Sequence, residues 1–320
     1  MTDRYALITV DTEALPKRAS DDHVNRLIWG RHAGGTAGVR EMCEIGNEFN
    51  VKQVFFVDFC GAYSRLDEVR EVARWLSAEG QDVQLHSHPE YLPDSFWSSH
   101  SLETRPQYMN QYEDDARAEF VIRYFSEVLR ASTGQRPLAF RAGSFRWNAA
   151  SIRALKAAGI PLSFNNSMCA MHAGQCLFSE PTNLPFLWSN GVIEVPTTEK
   201  KILPKVGKAE WWARLTYPES SYFRFRPWWG KLLLGAISGS PSFASFLLHS
   251  WSLLYWDENG HASYRDDQRL EGYRKLLGRL TKDYDVITTA DFLDLYARGK
   301  IRATHSVDLS LAELAGRDGA

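Results

Sequence analysis

Apolar and polar positions along this chain switch repeatedly between a period of two and a period near 3.6. Residues 5–10 (YALITV) form a short apolar run with β-branched residues, the pattern of a buried strand. Residues 38–49 then carry Val39, Met42, Cys43, Ile45 and Phe49 near helical spacing. A second apolar run at 51–57 (VKQVFFV) predicts a strand with Asp58 at its end. Leu66, Val69, Val72, Ala73 and Leu76 share one face of a helix predicted over 66–78, and Gly80 supplies its C-cap. The alternating run 82–85 is a third strand and leads into His86. The order strand, helix, strand, helix, strand implies a parallel sheet with right-handed crossovers.

Residues 91–110 are rich in Ser, Pro and aromatics and read as a long irregular segment, which in a compact domain is usually functional. A long amphipathic helix is predicted over 111–131 and a strand over 138–140, ending in Arg141. A helix from Asn148 to Ala158 is followed by Gly159, and a strand over 161–164 ends at Asn165 and Asn166. Further strands fall at 192–195 and 245–248, the latter ending at His249. A helix over 266–280, a last strand over 286–288 and a last helix over 291–298 complete the pattern. Residues 199–243 mix basic, aromatic and glycine-rich pieces and read as a lid, a helical insertion or an interfacial patch. The expected organisation is a single catalytic domain over 1–300 with an insertion at 199–243, then a polar tail over 301–320.

Charge removes one class of function. The chain has 37 basic and 39 acidic residues, a balance that lacks the basic footprint of a nucleic-acid binder. It has no apolar run long enough to span a bilayer and no signal-peptide core near Met1, so the cytoplasm is the expected compartment. Cys43, Cys60, Cys169 and Cys176 form no C-x-x-C pair and read as reduced, mostly buried thiols. Eleven Trp and thirteen Tyr offer amphipathic rings on which sugar faces stack, although such rings are also ordinary core material.

The chemistry concentrates at strand ends. After the third strand stands His86-Ser87-His88-Pro89-Glu90. Imidazoles two residues apart at a strand end point to one face, and two nitrogens beside a carboxylate suit zinc and its neighbours. The bland alternative is two loop histidines with no ligand. Asp11 and Glu13 follow the first strand, Arg141 the fourth, and His249 the late one. A carboxylate with two histidines leaves open metal positions for water and substrate. A spare carboxylate can serve as base, and a spare histidine as acid.

In this order the motifs resemble the polysaccharide deacetylase family, the NodB-type carbohydrate esterases. They read Thr9-Val10-Asp11-Thr12-Glu13, His86-Ser87-His88-Pro89-Glu90, Phe140-Arg141-Ala142-Gly143-Ser144-Phe145 and Leu247-Leu248-His249-Ser250. The resemblance covers about residues 5 to 295. It implies an α/β fold, an irregular (β/α) barrel of about seven parallel strands. The implied reaction is metal-assisted removal of an N- or O-acetyl group from a sugar. By this resemblance Asp11 matches the general base, Arg141 the arginine that orients it, and His249 the general acid. Glu13 and His86 match metal ligands, with Zn²⁺ as the expected metal. The family's H-x-x-x-H has Glu90 at its second position here, so His88 is the preferred second nitrogen ligand, with Glu90 as the oxygen alternative. Glu194 sits where the family has another strand-end motif. The implied partner is a carbohydrate, either a sugar precursor or a lipid-linked glycan at the inner membrane face. Residues 223–234 (FRFRPWWGKLLL) are either a weak membrane-surface contact, with Trp228 and Trp229 at its centre, or a buried lid. Two other readings compete: a metal-dependent hydrolase of a non-peptide C–N bond, and a glycan-binding barrel without catalysis.

Overall fold

The computed structural model describes residues 4–19, 21–32, 34–202, 211–218 and 242–314. A ten-stranded sheet forms its centre. In chain order the strands are β1 (Tyr5–Thr12), β2 (Val54–Asp58), β3 (Asp82–Ser87), β4 (Ala139–Ala142) and β5 (Leu162–Ser163). They continue with β6 (Phe186–Trp188), β7 (Ile193–Glu194), β8 (Phe243–His249), β9 (Asp285–Val286) and β10 (Ser306–Val307). Across the sheet the order is β8-β1-β2-β3-β4-β5-β7-β6-β10, and β9 also pairs with β1. The run from β8 to β7 is parallel throughout. Its seven strands are the number that the resemblance implied. Among the described residues no ladder joins β8 to β10, so the barrel stays open there.

The alternation along β1 explains the layers. Even positions Ala6, Ile8 and Val10 share one core with Val69, Val72 and Leu76 of α2 (Leu66–Ala78), which follows α1 (Val39–Glu48). Val121, Ile122 and Phe125 of α3 (Asp115–Thr133) join the same core. Each such aliphatic side chain, fully buried, contributes about 1.5–3 kcal/mol. Odd positions Tyr5 and Leu7 enter a second core with Val54, Phe56, Ala139, Leu162, Ile193 and Phe243. Residues from strands that far apart can meet only because the sheet curls around them. Further along the odd face the apolar residues give way to Thr9 and Asp11, and the interior becomes a polar mouth.

Several element boundaries differ from the pattern reading. Helix α3 begins at Asp115 rather than 111, because Asp114 caps it through the Ala116 amide at 2.8 Å. Residues 91–110 hold a short helix, Asp94–Ser99. Strand β4 extends to Ala142, so Arg141 lies within the sheet. Strand 286–288 is not the last, since Ser306–Val307 pairs in parallel with β6. Within 199–243, Glu199–Ile202 and Trp211–Arg214 form an antiparallel hairpin. The segment 223–234 lies outside the described residues, and no described helix is long and apolar enough to cross a membrane. All four cysteines carry free thiols.

Candidate active site

Parallel register brings the strand-end residues to one side. Asp11 of β1 pairs with His249 of β8, while Asp58 of β2 pairs with His86 of β3, and His86 with Arg141 of β4. Register partners in a sheet project to the same face, about 4.8 Å apart. These five side chains therefore surround the mouth of the barrel interior.

Glu13, just past β1, gathers the two histidines. Its Oε2 lies 2.6 Å from His88 Nε2 and 3.1 Å from His86 Nε2. All three residues are buried, and their ligand atoms lie within 4.8 Å of one another. The far nitrogens are already committed. His86 Nδ1 meets the Arg141 carbonyl oxygen at 2.8 Å, and His88 Nδ1 meets Glu90 Oε1 at 2.7 Å. Those oxygens accept, so each Nδ1 carries a proton. Each Nε2 then either holds a second proton against Glu13 or gives its lone pair to a cation. Histidines locked at Nδ1 by an oxygen, with Nε2 converging beside a carboxylate, are the arrangement of metal ligands. The donor set fits a divalent ion such as zinc and leaves positions open. Glu90 stands behind His88 and takes no place in this group.

Electrostatics agree with that reading. Burial alone would raise the Glu13 carboxyl, but the charge of His88 and hydrogen bonds from both imidazoles hold it well below its ordinary range. Burial alone would lower His88, but the charge and hydrogen bond of Glu13, with help from Glu90, push it well above its ordinary value. His86 is also raised, the charge of Asp11 and the bond to Glu13 outweighing burial. The cluster thus concentrates protons where a cation would sit.

Beside it, Arg141 is fully buried and donates from Nη1 to Asp11 Oδ1 at 2.5 Å and from Nη2 to Thr9 Oγ1 at 2.8 Å. Its guanidinium lies 4.4 Å over the Phe56 ring. Burial lowers its pKa and the charge of Asp11 opposes that, so the pair is a tight internal ion pair. His249 is half-buried, and its ring stacks on Trp251 at 4.7 Å and 24°. Burial holds its pKa below the ordinary value.

Pattern reading placed Asp58 at a strand end without a role, and left the role of Glu194 open. Asp58 accepts the backbone amides of Cys60 at 3.0 Å and His88 at 3.1 Å on Oδ1, and of Gly61 at 2.9 Å on Oδ2. It fixes the backbone that presents His88. Glu194 accepts the amides of Asn165 at 2.6 Å and Asn166 at 2.7 Å, and Trp188 Nε1 at 2.9 Å. Its carboxylate is spent on shaping the β5–β7 corner. Asn165 in turn receives the Ala142 amide at 2.7 Å, next to Arg141.

Gly143 is a further support that sequence reading passed over. A Cβ there would lie 2.4 Å from His88 Nδ1 and 2.5 Å from its Cγ. The following Ser144 and Phe145 both adopt left-handed backbone, φ 51° and 53°. Gly143→Ala is expected to displace the His88 ring and weaken metal binding by about 10- to 100-fold, the range for disturbing an orienting partner. Calorimetric metal titration beside the wild type checks this, and an unchanged affinity would show that the ring has room to move.

The fold matches solved structures over nearly the whole chain. A structure from Mycobacterium smegmatis described as a polysaccharide deacetylase superposes with a TM-score of 0.55 at 14% identity, covering 95% of this chain and 93% of that one. A Puue allantoinase gives a TM-score of 0.54 at 15% identity, covering 94% of this chain and 93% of that one. A 4-alpha-glucanotransferase from Thermococcus litoralis gives 0.54 at 15% identity and covers 98% of this chain, which spans 43% of that longer one. No protein-family model matches the chain, and no curated protein matches it in sequence. The likeness is one of fold. The chain has the NodB-type polysaccharide deacetylase fold, an α/β barrel of the kind its motifs implied.

Proposed function

We propose that this chain is a metal-dependent deacetylase that removes an acetyl group from an amino sugar or glycan precursor. The observation that carries this reading is the convergence of His86 and His88 on Glu13, beside the Asp11–Arg141 pair. Glu13, His86 and His88 would hold a divalent ion, zinc by donor type, which when bound supplies a polarised acyl carbonyl and an acidified water. Asp11 takes the proton of the attacking water, and Arg141 holds that carboxylate in place. Attack at the acyl carbon breaks its bond to the sugar nitrogen or oxygen, and His249 delivers a proton to the departing atom. Because burial lowers its pKa, protonated His249 is a stronger acid than an exposed histidine.

The test is acetate release from N- and O-acetylated sugars by zinc-loaded protein, with elemental analysis of the same sample. The expected result is about one metal per chain and acetate from the loaded form only. Cleavage of a non-peptide C–N bond without acetate release would favour the second reading. That reading draws support from the allantoinase, whose TM-score of 0.54 is close to the 0.55 of the deacetylase. A chain that takes up no metal would be a glycan-binding barrel.

A further inference from the structure

The chain after Glu13 carries two cations past the mouth of the site, and among the described residues neither has an acidic partner. Ala14 and Leu15 are buried, and the Arg18 amide donates to the Leu15 carbonyl at 2.9 Å, closing a turn that puts Lys17 and Arg18 at the surface. Arg18 lays its guanidinium 4.8 Å from the ring centre of Trp251 and 5.1 Å from that of Trp256. Lys17 sets its ammonium 5.8 Å over Tyr91. Two of these rings neighbour a histidine of the site. Trp251 carries His249 at 4.7 Å, and Tyr91 lies 6.0 Å from His88. Each cation therefore stands one ring away from an imidazole.

Among the described residues, neither Lys17 nor Arg18 makes an ion pair, and the Arg18 Nε has no hydrogen-bond partner. Four other half-buried arginines, Arg65, Arg153, Arg214 and Arg269, each face a carboxylate within 3.2 Å, whereas Arg146 also rests on a ring, 4.4 Å over Tyr108. The acidic groups of the site are committed elsewhere. Asp11 is paired with Arg141, Glu13 with the two imidazoles, Glu90 with His88, and Asp58 with backbone amides. The rim thus carries uncompensated positive charge. A guanidinium resting on aromatic faces loses little freedom on binding, and its planar fork suits a phosphate or carboxylate. A wholly neutral glycan would find the rings and leave both charges unused.

We propose that Lys17 and Arg18 form an anion-binding rim of the active site, and that the substrate carries a phosphate or carboxylate close to the acyl group. This deepens the deacetylase reading and rests on it for the acyl group alone. The experiment is calorimetric binding of three probes to the full chain, first metal-free and then zinc-loaded. The probes are N-acetylglucosamine, its 1-phosphate, and N-acetylmuramic acid, and the metal-free arm excludes both turnover and direct metal–anion contact. An anionic probe is expected to bind about tenfold tighter than the neutral one, the value of one added charge-assisted contact. Arg18→Met should remove most of that advantage and Lys17→Met part of it, while Arg18→Lys should retain some. Which anionic probe gains more identifies phosphate or carboxylate. Equal binding of neutral and anionic probes, no binding of any probe, or an advantage untouched by both methionine variants would overturn the proposal. Zinc stoichiometry confirms that each variant is folded. An anion advantage without acetate release would sink the deacetylase reading and leave the rim standing.

Discussion

Asp11→Asn is expected to bind metal and to lose turnover by about 10²- to 10⁴-fold, the loss typical of removing a proton-transfer group. The substitution keeps the shape of the side chain and removes its basicity. It also leaves Arg141, which has no solvent exposure, without its counter-charge. Breaking a buried pair costs about 3–5 kcal/mol. That is a large part of the roughly 5–15 kcal/mol that holds a typical domain together. The variant should therefore be both inactive and less stable, and the two effects need separating. Arg141→Met should be destabilised similarly, since it buries Asp11 unpaired. The double variant Asp11→Asn/Arg141→Met removes both charges and should be more stable than either single variant in chemical denaturation. Its turnover should stay as low as that of Asp11→Asn, because stability returns without a base. Near-wild-type turnover in Asp11→Asn would remove Asp11 from the mechanism. Recovery of turnover in the double variant would make its role purely structural.

The features legible in the sequence are those with a repeat or a motif behind them. The apolar runs at 5–10, 51–57 and 245–248 became β1, β2 and β8, because a strand buried on both faces needs unbroken apolar residues. The helical face of Val69, Val72 and Leu76 became the buried side of α2. Strand-end positions of Asp11, His86, Arg141 and His249 were legible for the same reason, since each breaks an apolar run at its C-terminal end. Strand β10 was not, because Ser306–Val307 has one apolar residue and no period. Gly143 was not, because its constraint is the ring of His88, 55 residues earlier in the chain, and only the fold makes them neighbours. Asp58 was seen at its strand end, but its function of accepting three backbone amides is written in no local pattern. Glu90 illustrates the limit from the other side. Spacing left it open as a ligand, and geometry places it on the far nitrogen of His88.

Metal loading is expected to release up to two protons per chain at the ordinary histidine value of 6.5 and just above it, one from each imidazole. The raised pKa values of His86 and His88 mean that both rings stay doubly protonated above the ordinary histidine value of 6.5 in the metal-free protein. Each must surrender its Nε2 proton before that nitrogen can bind a cation. Apparent affinity should then rise by up to about 100-fold per pH unit while both rings remain protonated, as follows from linkage of two protons. The same shifts set different stability profiles for the two forms. A group whose folded pKa is raised stabilises the fold below its unfolded pKa, and that contribution is lost as pH rises through the folded value. Metal-free protein should therefore lose stability from pH 6.5 upward, while loaded protein, whose imidazoles hold no more protons than unfolded ones there, should keep its stability over the same window. Glu13, held low, adds stability above its ordinary 4.5 that disappears on acidification through its folded value. His88→Ala should cut the proton release to about one, that of His86, and weaken metal binding by more than about 100-fold, since disturbing an orienting partner alone costs 10- to 100-fold. Calorimetry in buffers of different ionisation enthalpy counts the protons, and melting curves across pH give the stability profiles. Binding without proton release, with parallel stability profiles for the two forms, would place the metal on other residues and undo the assignment of Glu13, His86 and His88 together.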